Sequence, residues 1–582
     1  MELSRLSRSA GLALAFAALW AASPGIVSES GLWPLALLGV ALWARVASAP
    51  GPWAFALELV CAGAGWCGLM SWAALVHGST LAFIGPGHGL YFAVQGWALR
   101  RFARRMPLSC ATPAAWMLFE TLRTVLEPPF GVSWMRLGSY THDALWLSGS
   151  ARVWGTGGLS FALAALAGAL ADISLARSAE RKPARPLGPS LAFGLAPFVA
   201  AIALAHLVPA PQVVDGPRVL LVQPSFDQAR KQANDNQEMM FDQVELTQRG
   251  LTEARQAGEP TPDLVAWAET MFRLPIFERG TAQAIREGAE RDPWRGAKVD
   301  AAWVEGWEAA EVDWIDGWFF GKNRAREALL PEGTAFVAGA EYLRALDGRV
   351  RFQNSVLLWP GSVALRRGPA SKLHLVPGAE TMLGLEHIES VRSVIHGIAK
   401  YVPDFLGRQA GEDLLSFTAR DGRSFRFGVA VCFDNAFDDV FVGPARTADV
   451  DFHMVFSNEA WFLRSHQVEQ MLAFSRLAAL STGRSVVRCT QSGASMVIGP
   501  DGRDVARLRD AAGEDEMVAG TLRATVPVPV GGVWTPFETD ESRPPRATTF
   551  FVRTSLAWTA LWTALPALLL VLGVRGARAA RA

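Results

Sequence analysis

The chain has 582 residues, half of them apolar and only 19% charged, with 55 basic and 55 acidic side chains giving a formal net charge of zero. That length suggests at least two domains, and the composition excludes a disordered chain. The absence of a basic excess argues against nucleic acid as a partner.

The charges are unevenly placed: 22 fall in residues 1–209 and 88 in the remaining 373. A membrane-like part is therefore joined to a soluble-like part. Five cysteines (Cys61, Cys67, Cys110, Cys432, Cys489) are too few for a disulfide framework. Three of these lie in apolar segments, where a Cys ordinarily packs as a small hydrophobe.

In chain order, apolar runs occur near 9–24, 31–47, 53–76, 79–99, 110–127, 152–175 and 189–208, with an eighth near 554–574. Most approach the roughly 20 residues needed to cross about 30 Å of hydrocarbon as a helix. Arg5 and Arg8 ahead of the first run would also suit a signal peptide, but no clear small-x-small cleavage site follows. With seven spans before the large insertion and one after it, the basic clusters share one side. They are Arg5 and Arg8, Arg45, Arg100 to Arg105, Arg177 to Arg185, and Arg575 to Arg581. The positive-inside rule makes that side cytoplasmic and turns residues 210–550 outward. Tryptophan is abundant (22) and tyrosine scarce (4), and several Trp near span ends fit an interfacial belt. Glu58 and Glu120 are costly inside apolar runs. Glu120 with Arg123 has the spacing of an i,i+3 helix pair, a structural role.

Beyond residue 209 the pattern changes. Short apolar strands are predicted at 218–223, 263–268, 335–340, 353–359, 425–431, 452–456, 485–489 and 494–498, with helices at 237–257, 386–399 and 466–482. Strands alternating with helices imply a layered α/β domain, whose chemistry sits at the carboxyl ends of strands. Glu269 and Cys432 each follow such an end, and Lys372 lies in a connection between them. Singly, a loop Lys is usually solvated and a buried Cys inert. An acid, an ammonium and a thiol in this order are more specific.

Glu269, Lys372 and Cys432 resemble the Glu-Lys-Cys triad of the nitrilase superfamily. Several motifs are similar to its membrane branch, the apolipoprotein N-acyltransferases: Val-Gln-Pro-Ser (222–225), Ala-Trp-Ala-Glu-Thr (266–270), Lys-Leu-His-Leu-Val-Pro-Gly-Ala-Glu (372–380), Val-Cys-Phe-Asp (431–434), Phe-Ser-Asn-Glu-Ala-Trp-Phe (456–462), His-Gln-Val-Glu-Gln-Met (466–471), Gly-Pro-Asp-Gly-Arg (499–503) and Trp-Thr-Pro-Phe (534–537). Residues 129–138 resemble a loop that family carries between spans five and six. Two departures stand out: Phe433-Asp434 replaces the family's usual Tyr-Glu after the nucleophile, and Pro-Gly-Ala-Glu-Thr-Met (377–382) differs around the second acid.

The resemblance implies a membrane α-helical bundle of about eight spans with a nitrilase-like α-β-β-α sandwich. The expected division is 1–209 transmembrane, 210–550 catalytic and extracytoplasmic, and 551–582 a last span with a basic cytoplasmic tail. It further implies a multi-pass protein of the bacterial inner membrane, and ping-pong transfer of an acyl chain from a phospholipid, through a Cys432 thioester, to the α-amine of a diacylglyceryl-cysteine apolipoprotein. Glu269 would be the general base, and Lys372 would stabilise thiolate and oxyanion. Glu380 would hold Lys372 or Glu269 in place, Phe433 would supply a backbone oxyanion donor, and Asp434, Asn458 and Trp461 would support or position substrate. No nucleotide, flavin or metal cofactor is indicated, since His374, His453 and His466 lack ligand-like spacing. A membrane-anchored amidase or nitrilase-type hydrolase, and a non-catalytic lipid- or lipoprotein-binding homologue, are the alternatives.

A Trp-rich insertion spans about 276–334. Within 294–320, Trp303, Trp307, Trp314 and Trp318 fall on one face of a helix, and Glu305, Glu308, Asp313 and Asp316 on the other. Packing on the α/β domain through the Trp stripe is favoured over a lid resting on lipid, because the acidic face offers no attraction to anionic headgroups.

Overall fold

The computed structural model describes residues 4–126, 132–177, 187–233, 235–291, 299–322, 327–382, 384–399, 404–447, 449–531 and 546–579. Several expectations fall outside these residues: Arg181, Lys182, Arg185 and Arg581 of the basic clusters, positions 129–131 of the loop motif, residues 294–298 of the insertion, and the 534–537 motif.

Each apolar run is helical: Arg5–Ala22, Trp33–Ala47, Ala54–Leu69, Leu81–Ala103, Leu108–Val125, Ala151–Arg177, Leu187–Leu207 and Phe550–Ala579. Three of these are long and apolar enough to cross a membrane by length and composition: Ala151–Arg177, Leu187–Leu207 and Phe550–Val571. Trp33–Ala47 and Ala54–Leu69 are apolar but shorter. Glu58 is fully buried and pairs with Arg100 across the bundle. Gly96 makes room for that carboxylate, since a Cβ there would lie 2.2 Å from Glu58 Oε2. Glu120 does not pair with Arg123. Its Oε2 accepts from Trp116 Nε1 (3.0 Å) and Leu137 N–H (2.8 Å), while the Arg123 guanidinium lies over the Trp66 ring. Indole and backbone donors occupy one carboxylate oxygen, and the Arg123 guanidinium is turned onto the Trp66 ring, so the i,i+3 spacing did not become an ion pair.

The rest of the chain forms two sheets packed face to face. The strands are β1 (Gln212–Gln223), β2 (Leu264–Phe277), β3 (Glu290–Arg291), β4 (Ala335–Leu346), β5 (Arg349–Trp359), β6 (Arg367–Ser371), β7 (Leu414–Thr418), β8 (Ser424–Val431), β9 (Phe452–Ser457), β10 (Ser485–Thr490), β11 (Met496–Ile498), β12 (Asp504–Arg507) and β13 (Gly520–Gly531). One sheet runs β13-β1-β2-β4-β5-β3, with β6 added on β5; the other runs β12-β11-β10-β9-β8-β7. β1, β2 and β4 are mutually parallel, as are β8, β9 and β10, and these central strands are almost wholly apolar because both faces are covered. Trp267, Phe336, Val431, Phe456 and Cys489 belong to the single core between the sheets. Helix Asn236–Gln256 covers the first sheet through Met240, Val244 and Leu251, and helix Gln467–Thr482 covers the second. The result is a nitrilase-like α-β-β-α sandwich beside a helical N-terminal region.

The helical part and the sandwich share a continuous apolar core. Gln470 sits in that interface with every side-chain hydrogen-bonding direction engaged. Its Oε1 accepts from Trp72 Nε1 (3.0 Å) and Trp134 Nε1 (2.7 Å), and its Nε2 donates to Ser23 Oγ (2.9 Å) and the Leu69 carbonyl (3.2 Å). Arg136 adds a bidentate pair to Asp438, both bonds 2.6 Å.

The insertion is packed, not splayed. Its helix Ala301–Val312 widens into a π-helical turn over Asp313–Phe319, which rotates the second pair of tryptophans relative to the first. Trp303 and Trp307 lie with Phe277 and Val299, whereas Trp314 and Trp318 stack on each other against Phe241. Buried Glu311 fixes the segment, accepting from Trp359 Nε1 (2.9 Å) and Arg366 (2.6 Å).

Candidate active site

The acid, the ammonium and the thiol each stand at a strand end or bend, close enough to act on one another electrostatically. β2 delivers Glu269, and the next residue, Thr270, has φ +51°, so the strand bends just past the carboxylate. Gly339 on neighbouring β4 permits this, because a Cβ there would sit 2.7 Å from Glu269 Cα. Lys372 follows β6 directly, 1% exposed. Cys432 follows β8 at φ +52°, a region that side-chain-bearing residues seldom adopt. Such a turn presents a side chain beyond the end of its strand and stores strain of order 1–3 kcal/mol.

Hydrogen bonds hold each group. Glu269 is 6% exposed; its Oε1 accepts from Asn354 Nδ2 (2.6 Å) and its Oε2 from the Asn458 backbone N–H (2.7 Å). Lys372 Nζ donates to Glu380, 2.8 and 3.0 Å from its two oxygens, and Glu380 Oε2 also accepts from Val376 N–H (2.9 Å). Asp434, fully buried, accepts from the backbone N–H groups of Leu373 (3.1 Å), His374 (2.7 Å) and Val431 (3.2 Å). It clamps the loop after Lys372 onto the turn at Cys432, so the acid at this position faces backbone amides. Asn458 contributes its backbone to Glu269, while its side chain donates to Gln228 Oε1 (3.3 Å). Trp461 stands at the surface, 36% exposed, and makes none of these bonds.

The electrostatics follow from burial. The Cys432 thiol is pushed well above its ordinary range, first by the protein packed around the sulfur and then by the Glu269 carboxylate, with Lys372 opposing. Burial also raises Glu269 above the usual carboxylate range, against the nearby charges of Lys372 and Lys231. Burial alone would lower Lys372, but Glu380, Cys432 and Glu269 outweigh it and raise the group, so it stays an ammonium. The resting arrangement is a neutral thiol beside a fixed cation and an acid whose proton affinity is elevated. The raised Glu269 is a better acceptor for the thiol proton, while burial of the sulfur opposes its release.

Phe433 points toward the helical part. Its ring stacks on Trp134 at 6.3 Å and meets Phe437 edge-on at 5.1 Å, and Phe437 in turn stacks on His374 at 3.8 Å. His374 Nε2 lies 3.1 Å from Asp439. His453 is buried in the sheet, and His466 Nε2 lies 3.0 Å from the Leu69 carbonyl. Among the described residues no cluster of three His, Cys, Asp or Glu side chains could hold a metal ion. Cys489 is a free thiol buried against the Ala266 carbonyl.

Sequence reasoning did not single out Asn354, Lys231 or Arg136. Lys231 Nζ donates to Thr270 Oγ1 (2.5 Å) beside Glu269. Asn354 carried only a faint signal: it stands in the polar Gln-Asn-Ser start (353–355) of the strand predicted at 353–359, where an amide needs a partner once buried. Lys231, on a short polar helix, had none.

Two family models match the chain. One described as the apolipoprotein N-acyltransferase N-terminal domain covers residues 10–169, and one described as carbon-nitrogen hydrolase covers 262–529. The chain is 27% identical to a protein named apolipoprotein N-acyltransferase from Azotobacter vinelandii, over 82% of this chain and 83% of that one. A protein of the same name from Pseudomonas syringae pv. tomato is 26% identical over 81% and 83% of the two chains. Another from Brucella suis biovar 1 is 28% identical over 55% and 52%. With a carbon-nitrogen hydrolase sandwich joined to that N-terminal helical domain, the chain belongs to the apolipoprotein N-acyltransferase family and is an acyltransferase.

Proposed function

We propose that this acyltransferase moves an acyl chain from a phospholipid to the α-amino group of a diacylglyceryl-cysteine apolipoprotein, by way of a thioester on Cys432. The observation that carries the reading is the convergence of Glu269, Lys372 and Cys432 on one side of the sandwich, where Phe433 stacks on Trp134 of the helical part.

In the first half-reaction Cys432 Sγ attacks the ester carbonyl carbon while Glu269 accepts the thiol proton. The negative charge that develops on the carbonyl oxygen is met by the Lys372 ammonium, held on Glu380, and by the Phe433 backbone N–H. The intermediate collapses with loss of the lysophospholipid alkoxide, which takes the proton back from Glu269. In the second half the neutral amine attacks the thioester carbonyl, Glu269 receives the amine proton, and the sulfur leaves, reprotonated from Glu269. The product is an amide, and the three side chains return to their starting protonation. A donor and an acceptor anchored in one bilayer meet at high effective concentration.

The same reading assigns all eight apolar helices as spans, with 1–209 and 551–582 in or at the inner membrane and 210–550 facing the periplasm. Arginines such as Arg45 and Arg100 support the orientation. Full chain in detergent, given phospholipid labelled in its acyl chain and then a synthetic diacylated lipopeptide, is expected to yield labelled triacyl lipopeptide and lysophospholipid in equal amounts. Labelled free fatty acid as the sole product would instead establish a hydrolase, and absence of both products a binding protein.

A further inference from the structure

The short helix Gln228–Gln232 follows β1 and is docked against the bend that carries Glu269. The second sheet pins its start: Gln491 donates Nε2 to the Phe226 carbonyl (2.6 Å), and its own carbonyl accepts from Ser225 N–H (2.8 Å). The Asp227 side chain caps it by accepting from Arg230 N–H (2.7 Å). Two contacts from this helix flank the carboxylate. Gln228 Oε1 accepts from the side chain of Asn458, whose backbone N–H donates to Glu269 Oε2. Lys231, 8% exposed, donates Nζ to Oγ1 of Thr270, the residue after Glu269. Arg273 holds the same corner, donating to the Lys231 carbonyl (3.3 Å), the Thr270 carbonyl (3.2 Å) and Asn236 Oδ1 (2.9 Å).

An ammonium is costly to bury, and a neutral hydroxyl offsets little of that cost. The charges around Glu269 account for its presence. Lys372 is ion-paired with Glu380, which offsets part of the Lys372 field at Glu269. When all three are ionised, Glu269, Glu380 and Lys372 carry one excess negative charge, and a buried carboxylate in such a set favours its proton. Lys231 brings the set to neutrality and acts on Glu269 in favour of the carboxylate. Glu341, opposite Asn354 on β4, and Arg273 are further charged groups on the adjoining strands, and Glu459 acts on Cys432.

We propose that Lys231 is a positioning residue of the acyl transfer: seated on Thr270, its ammonium keeps Glu269 a carboxylate until Cys432 Sγ or the acceptor amine gives up a proton. Without it Glu269 holds its own proton at neutral pH, and both half-reactions lose their base. The inference rests on the reading of Glu269 as the base in thioester chemistry and adds a second cation to that site.

The test follows acyl-enzyme formation from a single-species phospholipid in single turnover, between about pH 5 and 9, in the parent, Lys231→Met and Lys231→Arg chains. Loss of the ammonium raises the proton affinity of Glu269. The rising limb of the Met profile should therefore move alkaline by about one pH unit, an about tenfold loss of rate below the limb, with the profiles converging above it. The Arg chain keeps the charge and should follow the parent. A second measurement needs no turnover and uses chains that also carry Cys432→Ala. There the infrared band of the protonated Glu269 carboxyl, assigned by its loss in Glu269→Gln, should titrate about one unit higher with Lys231→Met than without it. A parent chain that forms no acyl-enzyme would refute the thioester reading, and the infrared comparison then decides on Lys231 by itself. Loss of rate by the same factor at every pH, or a carboxyl midpoint that Lys231→Met leaves in place, would assign Lys231 to packing and overturn the proposal.

Discussion

Gln470→Leu removes the polar centre of the interface between the helical part and the sandwich while keeping its volume. In the native chain the Gln470 amide satisfies two indole N–H groups, from Trp72 and Trp134, and two acceptors, Ser23 Oγ and the Leu69 carbonyl. Leucine leaves both indole donors buried and unpaired, at about 1–3 kcal/mol each, so the expected loss is about 2–6 kcal/mol of unfolding free energy. Gln470→Glu is milder for the indoles, since both retain an acceptor, but it sets a carboxylate against the Leu69 carbonyl. Trp134 also stacks on Phe433, next to Cys432, so releasing its indole disturbs the wall of the site. Acyl-enzyme formation in the Leu variant should fall more than tenfold in folded protein, a displacement of about 1.4 kcal/mol at the barrier. The assay is denaturant unfolding in detergent, followed by single-turnover transfer on the folded fraction. If the Leu variant unfolds within about 1 kcal/mol of the parent and forms acyl-enzyme at the parental rate, the amide does not hold the interface and the reasoning fails.

Lys372→Met should slow acyl-enzyme formation by about 10²–10³-fold, the usual effect of removing one oxyanion donor, and single-turnover kinetics would reveal it. Glu311→Ala strips the partner of a buried Arg366 and should cost about 3–5 kcal/mol in thermal unfolding, with transfer per folded molecule unchanged; lost transfer at full stability would restore the lid reading of the Trp-rich segment. Burial, helped by Glu469, Asp515 and Glu459, pushes Glu516 up to about 8 from 4.5. The folded state thus holds an extra proton between those values, and the associated stability is present below pH 4.5 and lost as pH rises through 8. The upper bound is about 5 kcal/mol, which partial exposure reduces to about 2; Glu516→Gln should flatten the unfolding midpoint between pH 5 and 9, and an unaltered profile would exclude this group.

The central strands were legible because parallel strands covered on both faces read as unbroken apolar runs: 218–223, 335–340, 425–431 and 485–489 all fall within observed strands. β2 extends to Phe277, well past the predicted 268, because the bend at Thr270 redirects the chain without ending its pairing with β4. The edge strands β6, β7, β12 and β13 went unread, since one-sided or polar segments such as Asp504–Arg507 carry no such run. In the Trp-rich segment the spacing of four, seven and four suggested one continuous face, but the π turn at Asp313–Phe319 divides the stripe between two clusters. Around the site, the three chemically distinctive residues stood out by type and by position at element ends. Asn354, Lys231 and the backbone amide of Asn458 did not, because their roles arise only when distant segments converge on Glu269.

The central claim is a covalent acyl group on one sulfur. Intact-mass measurement of the full chain after exposure to a single-species phospholipid should show an increment of one acyl chain, released by neutral hydroxylamine, located on the Cys432 peptide and discharged by a diacylated lipopeptide. Transfer that proceeds in the Cys432→Ala chain, or an acyl group found on another residue, would contradict it.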